Sequence, residues 1–266
     1  MNITVVITCH NRRDKTLECL RLLTIQPPCG SDIGFIVVDD GSTDGTSEAI
    51  AAEFPAVKIL KGDGSLYWCG GMRKAWREAV KMDPDYYLLM NDDTHLYPEA
   101  LQKLVTMIPS PDCLAIAIAA ICDPVTRCAT YGGIRRKVGV IPASGRIEYC
   151  DTFNANCALI PRAVYSRLGI LYEGYTHGMG DFDYGCQARK LGIDLLQSGD
   201  FLGECAVDSP RGTWLDRSLS RKERFRLLES PKGLPFREWL VFNYRNSGWK
   251  WPFYALSPVI RVLMGR

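Results

Sequence analysis

The stretch Tyr86-Tyr87-Leu88-Leu89-Met90-Asn91-Asp92-Asp93 decides the fold. Five large apolar or aromatic residues in a row have the length and texture of a strand buried on both faces, as in a parallel sheet. The run stops at three polar residues, two of them acidic. In an open α/β sheet, ligands collect in the crevice outside the carboxyl ends of the strands. Crowding carboxylates there works against folding through like-charge repulsion, but it has a chemical use. A hard divalent cation takes oxygen ligands and holds a diphosphate against the protein. The competing reading is an Asn-Asp-Asp turn leading into a helix over 98–108, because Asn and Asp favour turns and caps.

Outward from that stretch, strand and helix alternate. Ile3–Thr8 and Ile33–Val38 are short runs rich in Ile and Val, which predict parallel strands. Between them Leu17, Leu20, Leu22 and Leu23 fall at helical spacing over 14–25, closed by Pro27-Pro28. Ser42-Thr43-Asp44 supplies an N-cap for a helix carrying Ala49, Ile50 and Phe54. Then come a strand at Val57–Leu60, a helix at about 71–82, the strand 86–90, and another strand at Cys113–Ile121. Residues 122–160, with Gly132-Gly133, read as loops and antiparallel strands. A helix follows Pro161, and another spans Asp181–Leu191, with Cys186, Ala188 and Leu191 inward and Gly192 as its stop. Right-handed crossovers between such units give an α/β fold, a mainly parallel sheet flanked by helices.

The composition, 47% apolar and 23% charged over 266 residues, is that of a globular protein of one large domain plus a small appendage. Eleven cysteines occur without a Cys-x-x-Cys pair, and their spacings match no zinc site, so free thiols in a reducing cytoplasm are expected. The first residues do not read as a signal peptide, and no stretch reaches the ~18 apolar residues that span a bilayer. The net charge of +2 is unevenly spread: residues 1–210 carry 20 Lys/Arg against 26 Asp/Glu, whereas 211–266 carry 12 against four. Four of the six tryptophans, Trp214, Trp239, Trp249 and Trp251, lie in that basic tail. The expected division is therefore 1–215 as the body and 216–266 as a helical tail.

Polar clusters close each of the first four strands: Thr8-Cys9-His10-Asn11-Arg12, Asp39-Asp40-Gly41-Ser42, Gly62-Asp63-Gly64 and Asn91-Asp92-Asp93. One such cluster makes a turn; four on one sheet edge make a site. A dinucleotide Gly fingerprint fails, since its third glycine would fall at Tyr67, and the Walker pattern is absent.

The segments Val5-Val6-Ile7-Thr8-Cys9-His10-Asn11-Arg12, Ile36-Val37-Val38-Asp39-Asp40-Gly41-Ser42-Thr43-Asp44-Gly45-Thr46 and Leu88-Leu89-Met90-Asn91-Asp92-Asp93-Thr94 resemble, in order, family-two glycosyltransferases of the GT-A fold. The resemblance covers about residues 1–210. It implies a nucleoside-diphosphate sugar donor (UDP- or dTDP-linked) and Mg²⁺ or Mn²⁺ as cofactor. Asp39 or Asp40 is then expected at the nucleobase with Asp63 beside it, and Thr8, Asn11 and Arg12 at the donor. Asn91-x-Asp93 matches the family's Asp-x-Asp, with Asp93 the direct metal ligand, Asn91 a weakened first position and Asp92 nearer the ribose or sugar. Leu66–Arg73 matches the Gly-rich segment over the donor, which offers Arg73 to the diphosphate or base; tight packing of a helix N-terminus is the alternative reading of its glycines.

Gly178-Met179-Gly180-Asp181-Phe182-Asp183-Tyr184 resembles the family's Glu-Asp-x-Asp motif, with Gly180 where Glu is usual. The resemblance makes Asp181 the base that takes the acceptor hydroxyl's proton in a single inverting displacement. The other reading of Asp181 and Asp183 is N-capping. His177 is the rival base; His177, Asp183 and Trp68 are assigned to the acceptor side. Where relatives often place a metal-binding His, this chain has Glu204-Cys205-Ala206-Val207-Asp208, so Asp208 is the carboxylate available instead.

The tail from Arg221-Lys222-Glu223-Arg224-Phe225-Arg226 to Trp249-Lys250-Trp251-Pro252-Phe253-Tyr254 combines Trp, Tyr and basic residues, as an element lying in a bilayer interface does. Packing of those aromatics on the body is the alternative. Phe242-Asn243-Tyr244-Arg245-Asn246 also resembles a segment of rhamnosyltransferase-type relatives with lipid-linked acceptors. No nucleic-acid motif accompanies the tail. The expected activity is sugar transfer to a glycan or lipid-linked saccharide at the inner face of the cell membrane. A sugar nucleotidyltransferase or a catalytically silent sugar-binding protein are the alternatives on the same fold.

Overall fold

The computed structural model describes residues 1–26 and 32–265, so the expected helix stop at Pro27-Pro28, and Cys29, lie outside the described residues. Strand β1 (Asn2–Cys9) leads into α1 (Arg13–Thr24), β2 (Asp32–Asp39) into α2 (Thr46–Glu53), and β3 (Lys58–Lys61) into α3 (Tyr67–Val80). Then follow β4 (Tyr86–Met90), β5 (His95–Leu96), α4 (Ala100–Met107) and β6 (Ala115–Cys122). A run of short strands comes next: β7 (Ala129–Tyr131), β8 (Gly133–Arg135), β9 (Gly139–Val140), β10 (Glu148–Tyr149) and β11 (Thr152–Phe153). Strand β12 (Cys157–Pro161), α5 (Arg162–Leu168), α6 (Gly180–Lys190) and β13 (Asp194–Glu204) complete the body. The tail holds α7 (Arg221–Leu228), α8 (Phe236–Asn246), α9 (Trp251–Ala255) and α10 (Ser257–Leu263).

Among the described residues the main sheet runs β10-β13-β6-β12-β4-β1-β2-β3. Strand β1 pairs in parallel with β2 and β4, β2 with β3, and β6 with β13. Strand β12 lies antiparallel between β4 and β6, with Leu159 opposite Leu88 on one side and Ala117 on the other, and the short β5, β7 and β10 also pair antiparallel at the sheet's far side. Strands β1, β2, β3, β4, β6 and β13 therefore end at one common edge, and β12 begins there.

Strand alternation builds two apolar layers. Val5, Ile7, Tyr86, Leu88 and Met90 face α1, α2 and α4 through Leu20, Leu23, Ile50 and Leu104. Val6, Tyr87 and Leu89 face α3, α5 and α6 through Met72, Trp76, Val164, Tyr184 and Ala188. Both faces are covered, which is why these strands read as unbroken apolar runs.

Three local readings change. Helix α2 starts after Gly45, in the left-handed region at φ 79°, and Asp44 serves it from one position earlier by accepting the Thr46 N–H at 3.1 Å. Helix α3 begins at Tyr67, so Gly70 and Gly71 lie inside it; a Cβ on Gly71 would collide with the Thr8 side chain. Gly71 lets the helix approach β1, the packing alternative, whereas a Cβ on Gly70 would meet Leu66 just before the helix. Leu191 is 49% exposed because α6 stops at Lys190 and Gly192 turns the chain at φ 73°; Cys186 and Ala188 face inward. The ten described cysteines are free thiols. No helix among the described residues is long and apolar enough to cross a membrane.

Candidate active site

A cleft of about 570 Å³ opens at the common strand edge. Its walls include Thr8, Arg12, Asp40, Asn91, Asp92, Asp93 and Asp208 from strand ends, and Trp68, His177 and Asp181 from α3 and the start of α6. Asp93 and Asp92 sit on the first turn after β4. Arg12 bridges them, Nη1 donating to Asp93 Oδ2 at 2.7 Å and to Asp92 Oδ1 at 3.0 Å. Asp92 is 5% exposed. Burial pushes its carboxyl up to about 6, with Arg12 opposing and the Asp93 charge adding to the rise. Asn91 Oδ1 accepts the Trp68 indole N–H at 2.8 Å, so Asn91 is engaged in holding that ring at the cleft wall.

Asp40 lines the cleft near the end of β2, but its carboxylate already accepts two backbone N–H groups, Gly64 and Tyr67, each at 2.9 Å. It therefore fixes the turn after β3 and the start of α3. Adjacent residues on a strand point to opposite faces. Asp39 is accordingly turned away and wholly buried, accepting from Ser42 N–H at 2.9 Å, from the Ser47 hydroxyl and from Lys61 at 3.3 Å.

The expected base motif lies across the cleft. Asp181 Oδ2 accepts the Ala155 N–H at 3.0 Å and Oδ1 that of Phe182 at 2.8 Å. Burial pushes its carboxyl up to about 6, against the lowering effect of those N–H groups. A carboxylate poised near neutrality is suited to taking a proton from a hydroxyl. His177 shares the cleft, but burial, then the charges of Lys232 and Arg12, hold its imidazole down at about 4. Its Nδ1 accepts a long hydrogen bond from the Trp68 N–H at 3.5 Å, which leaves the proton on Nε2, so the neutral ring is a donor. Asp181 is the better base on both counts.

Several expected site residues do not reach the cleft. Asn11, at φ 50°, ties β1 to the next turn by accepting the Thr43 N–H at 2.8 Å. Asp63 is exposed and accepts from Ser65 N–H at 2.9 Å and its hydroxyl at 2.6 Å. Arg73 donates to the carbonyls of Tyr172 and Tyr175 at 3.1 and 2.8 Å, pinning the 172–175 loop. Asp183 is 1% exposed and paired with Arg245. Conversely, Tyr131, Asn154, Asn156 and Lys232 line the cleft without having been anticipated. The signal for the Asn pair was Asn154-Ala155-Asn156 directly before the apolar run of β12, which brings the start of an antiparallel strand to the site edge. Lys232 arrives from the tail, and nothing local in Pro231-Lys232-Gly233 announces it.

For a metal, Asp93 and Asp208 offer hard oxygen donors at the same cleft. Among the described residues no group of three His, Cys, Asp or Glu side chains is arranged to hold an ion alone. That donor set fits Mg²⁺ or Mn²⁺, since Mg²⁺ characteristically uses one or two carboxylates and completes its shell with water and substrate phosphates.

Comparison with solved structures finds the same fold. A mannosyltransferase from Pyrobaculum calidifontis, in complex with GDP-Man and Mn²⁺, superposes with a TM-score of 0.60 at 17% identity, over 98% of this chain and 75% of its own. S. aureus TarS 1–349 in complex with UDP-GlcNAc gives 0.63 at 14% identity, over 98% and 72%. GalNAc-T7 with UDP, GalNAc and Mn²⁺ gives 0.60 at 12%, over 99% of this chain and 56% of its own. No curated protein gives a significant sequence match. The family description "Glycosyl transferase family 2" matches residues 4–140, which contain the first four strand ends and their clusters. With just over half of its length so matched on a GT-A scaffold, the chain belongs to glycosyl transferase family 2 and is a glycosyltransferase.

Proposed function

We propose that the protein transfers a sugar from a UDP- or dTDP-sugar to a hydroxyl of a glycan or lipid-linked saccharide, with inversion, in surface polysaccharide synthesis. The observation that carries this reading is the placement of Asp181 in the same cleft as Asp92, Asp93 and Arg12. A base on one wall faces a charged cradle on the other, as one displacement at an anomeric carbon requires. Asp93 and Asp208 would hold Mg²⁺ or Mn²⁺, which when bound offsets charge on the departing diphosphate. Arg12 and Lys232 add fixed positive charge for the same diphosphate. Thr8, Asp40 and the Gly64 backbone line the nucleoside end, Asp92 and Trp68 the sugar. His177, as a neutral donor, orients the acceptor while Asp181 removes its proton.

The body and the tail from 216 form one working unit on this reading, with the tail also resting on the inner membrane face. Its exposed Trp249, Phe253, Leu256, Ile260, Leu263 and Met264 support that contact. The activity test is a donor screen with UDP-, dTDP- and GDP-sugars in Mn²⁺ or Mg²⁺. Nucleoside diphosphate release is expected from one donor class, with none from nucleoside triphosphates. Release from triphosphates alone would mean nucleotidyl transfer instead. Asp93→Ala is expected to lose 10²-fold or more, as a rough order, in donor turnover.

A further inference from the structure

The loop leading into α6, and the first turn of α6 that carries Asp181, are both held by one helix of the tail. Upstream, the Thr176 N–H and hydroxyl donate to Glu238 of α8 at 3.1 and 2.6 Å. Downstream, Arg245 of the same helix gives Nε to both oxygens of Asp183 at 3.0 and 3.1 Å and Nη2 to Oδ2 at 3.0 Å. Asn246 adds its Nδ2 to Asp183 Oδ1 at 2.7 Å and accepts Gln187 Nε2 at 2.8 Å. The Arg245 guanidinium also lies over the Tyr172 ring, 4.1 Å from its centroid. Between the two anchors run His177, Gly178, Met179 in the left-handed region at φ 67°, Gly180 and Asp181.

Two features set this network apart from ordinary packing. Capping α6 needs one acceptor near its first turn, yet Asp183 receives donors from two side chains of a helix 62 and 63 residues away. A buried ion pair is by itself weak evidence of stabilisation, because desolvation consumes most of its Coulomb energy. Of the tail's four acidic residues, Asp216, Glu223 and Glu229 bond within the tail, and Glu238 reaches out of it, to the base loop.

We propose that α8 is the positioning element of the base: Glu238, Arg245 and Asn246 fix residues 176–183 at both ends, so that the Asp181 carboxylate meets the acceptor hydroxyl in line with the donor. These are positioning residues, acting through the loop. The role rests on the assignment of Asp181 as base.

The test compares Glu238→Ala, Glu238→Gln and Arg245→Lys with the full-length wild type, measuring transfer kinetics and amide hydrogen exchange over 172–183. Glu238→Ala and Arg245→Lys should lower kcat by about 10- to 100-fold while donor KM stays within about twofold. Glu238→Gln keeps an acceptor oxygen for Thr176 and should recover most of the rate. Exchange in the loop should quicken at least about tenfold, with sheet amides unchanged. An unchanged kcat in both variants, or a loss matched by donor affinity, overturns the proposal. Exchange is read without turnover, so unchanged loop exchange overturns the clamp even for an enzyme whose donor is wrong. Quickened loop exchange in the variants, with no sugar transfer by the wild type, would leave the clamp standing but overturn the base assignment, and the positioning role with it.

Discussion

Among the described residues no side-chain cation acts on Asp181; burial raises its carboxyl and backbone N–H groups lower it. With the carboxyl held near 6, the base form dominates only above that pH. The expected profile of kcat/KM therefore rises about tenfold per unit below about 6 and flattens toward 8, with the limb absent in Asp181→Asn. That variant should lose about 10²- to 10⁴-fold in rate. Stability runs the other way. A carboxyl whose folded pKa is raised favours the folded state most below its unfolded value near 4, and that contribution is lost as pH rises through 6. Asp181→Asn should thus be more stable than wild type at pH 7, by roughly 1–3 kcal/mol, and no more stable at pH 4, as read from Tm at the two pH values. A variant less stable at both would contradict the burial account. Asp39 and Asp63 define what residue-level reading misses. Both are carboxylates at strand ends in the sequence, as is Asp40, which does line the cleft, yet strand alternation turns Asp39 into the protein, and the turn chemistry of Ser65 holds Asp63. Residue type and spacing place a group at an edge; the bonds it makes there decide whether the substrate sees it.

At the scale of elements, the strands were legible because both faces of the sheet are covered, and the helices followed from spacing. The start of α3 was not. Leu66-Tyr67-Trp68-Cys69-Gly70-Gly71 carries a loop signal in its glycines, with Tyr67 at φ 52°, whereas Gly71 serves the approach of the helix to β1. Gly71→Ala should cost about 1–3 kcal/mol by urea unfolding, because its methyl group would need to displace Thr8 from the cleft wall. A neutral result would mean the helix slides without strain. Asp92, Asp93 and Asp181 were readable because each follows or opens a regular element. Asn156 and Lys232 were not, since their approach depends on a strand running backwards and on the docking of a distant loop.

For the whole molecule, the uneven charge in the sequence separates two surfaces. The acidic body holds the cleft, and the basic tail presents Trp249, Phe253 and Met264, 78%, 72% and 58% exposed. Exposed aromatic side chains, with Lys250 Nζ 5.5 Å from the Trp249 ring centroid, support the proposed contact with a lipid headgroup boundary. Trp249→Ser with Phe253→Ser should reduce cosedimentation with vesicles containing anionic lipid by about fivefold or more, and leave transfer to a soluble acceptor intact. Equal partitioning of wild type and variant would defeat membrane contact.

The reversed strand β12 has a consequence for biosynthesis. Strand β4 leaves the ribosome with β1 on one flank and nothing on the other, and its permanent neighbour is made some 70 residues later, by the count from Met90 to Ile160. Until then the nascent sheet has an open, wholly apolar margin, the kind of strand edge that recruits other chains. Joining two halves so far apart in sequence is a slow, non-local step. Strand β4 therefore gains its second flank, and the sheet its continuity with β6 and β13, only once β12 has been made.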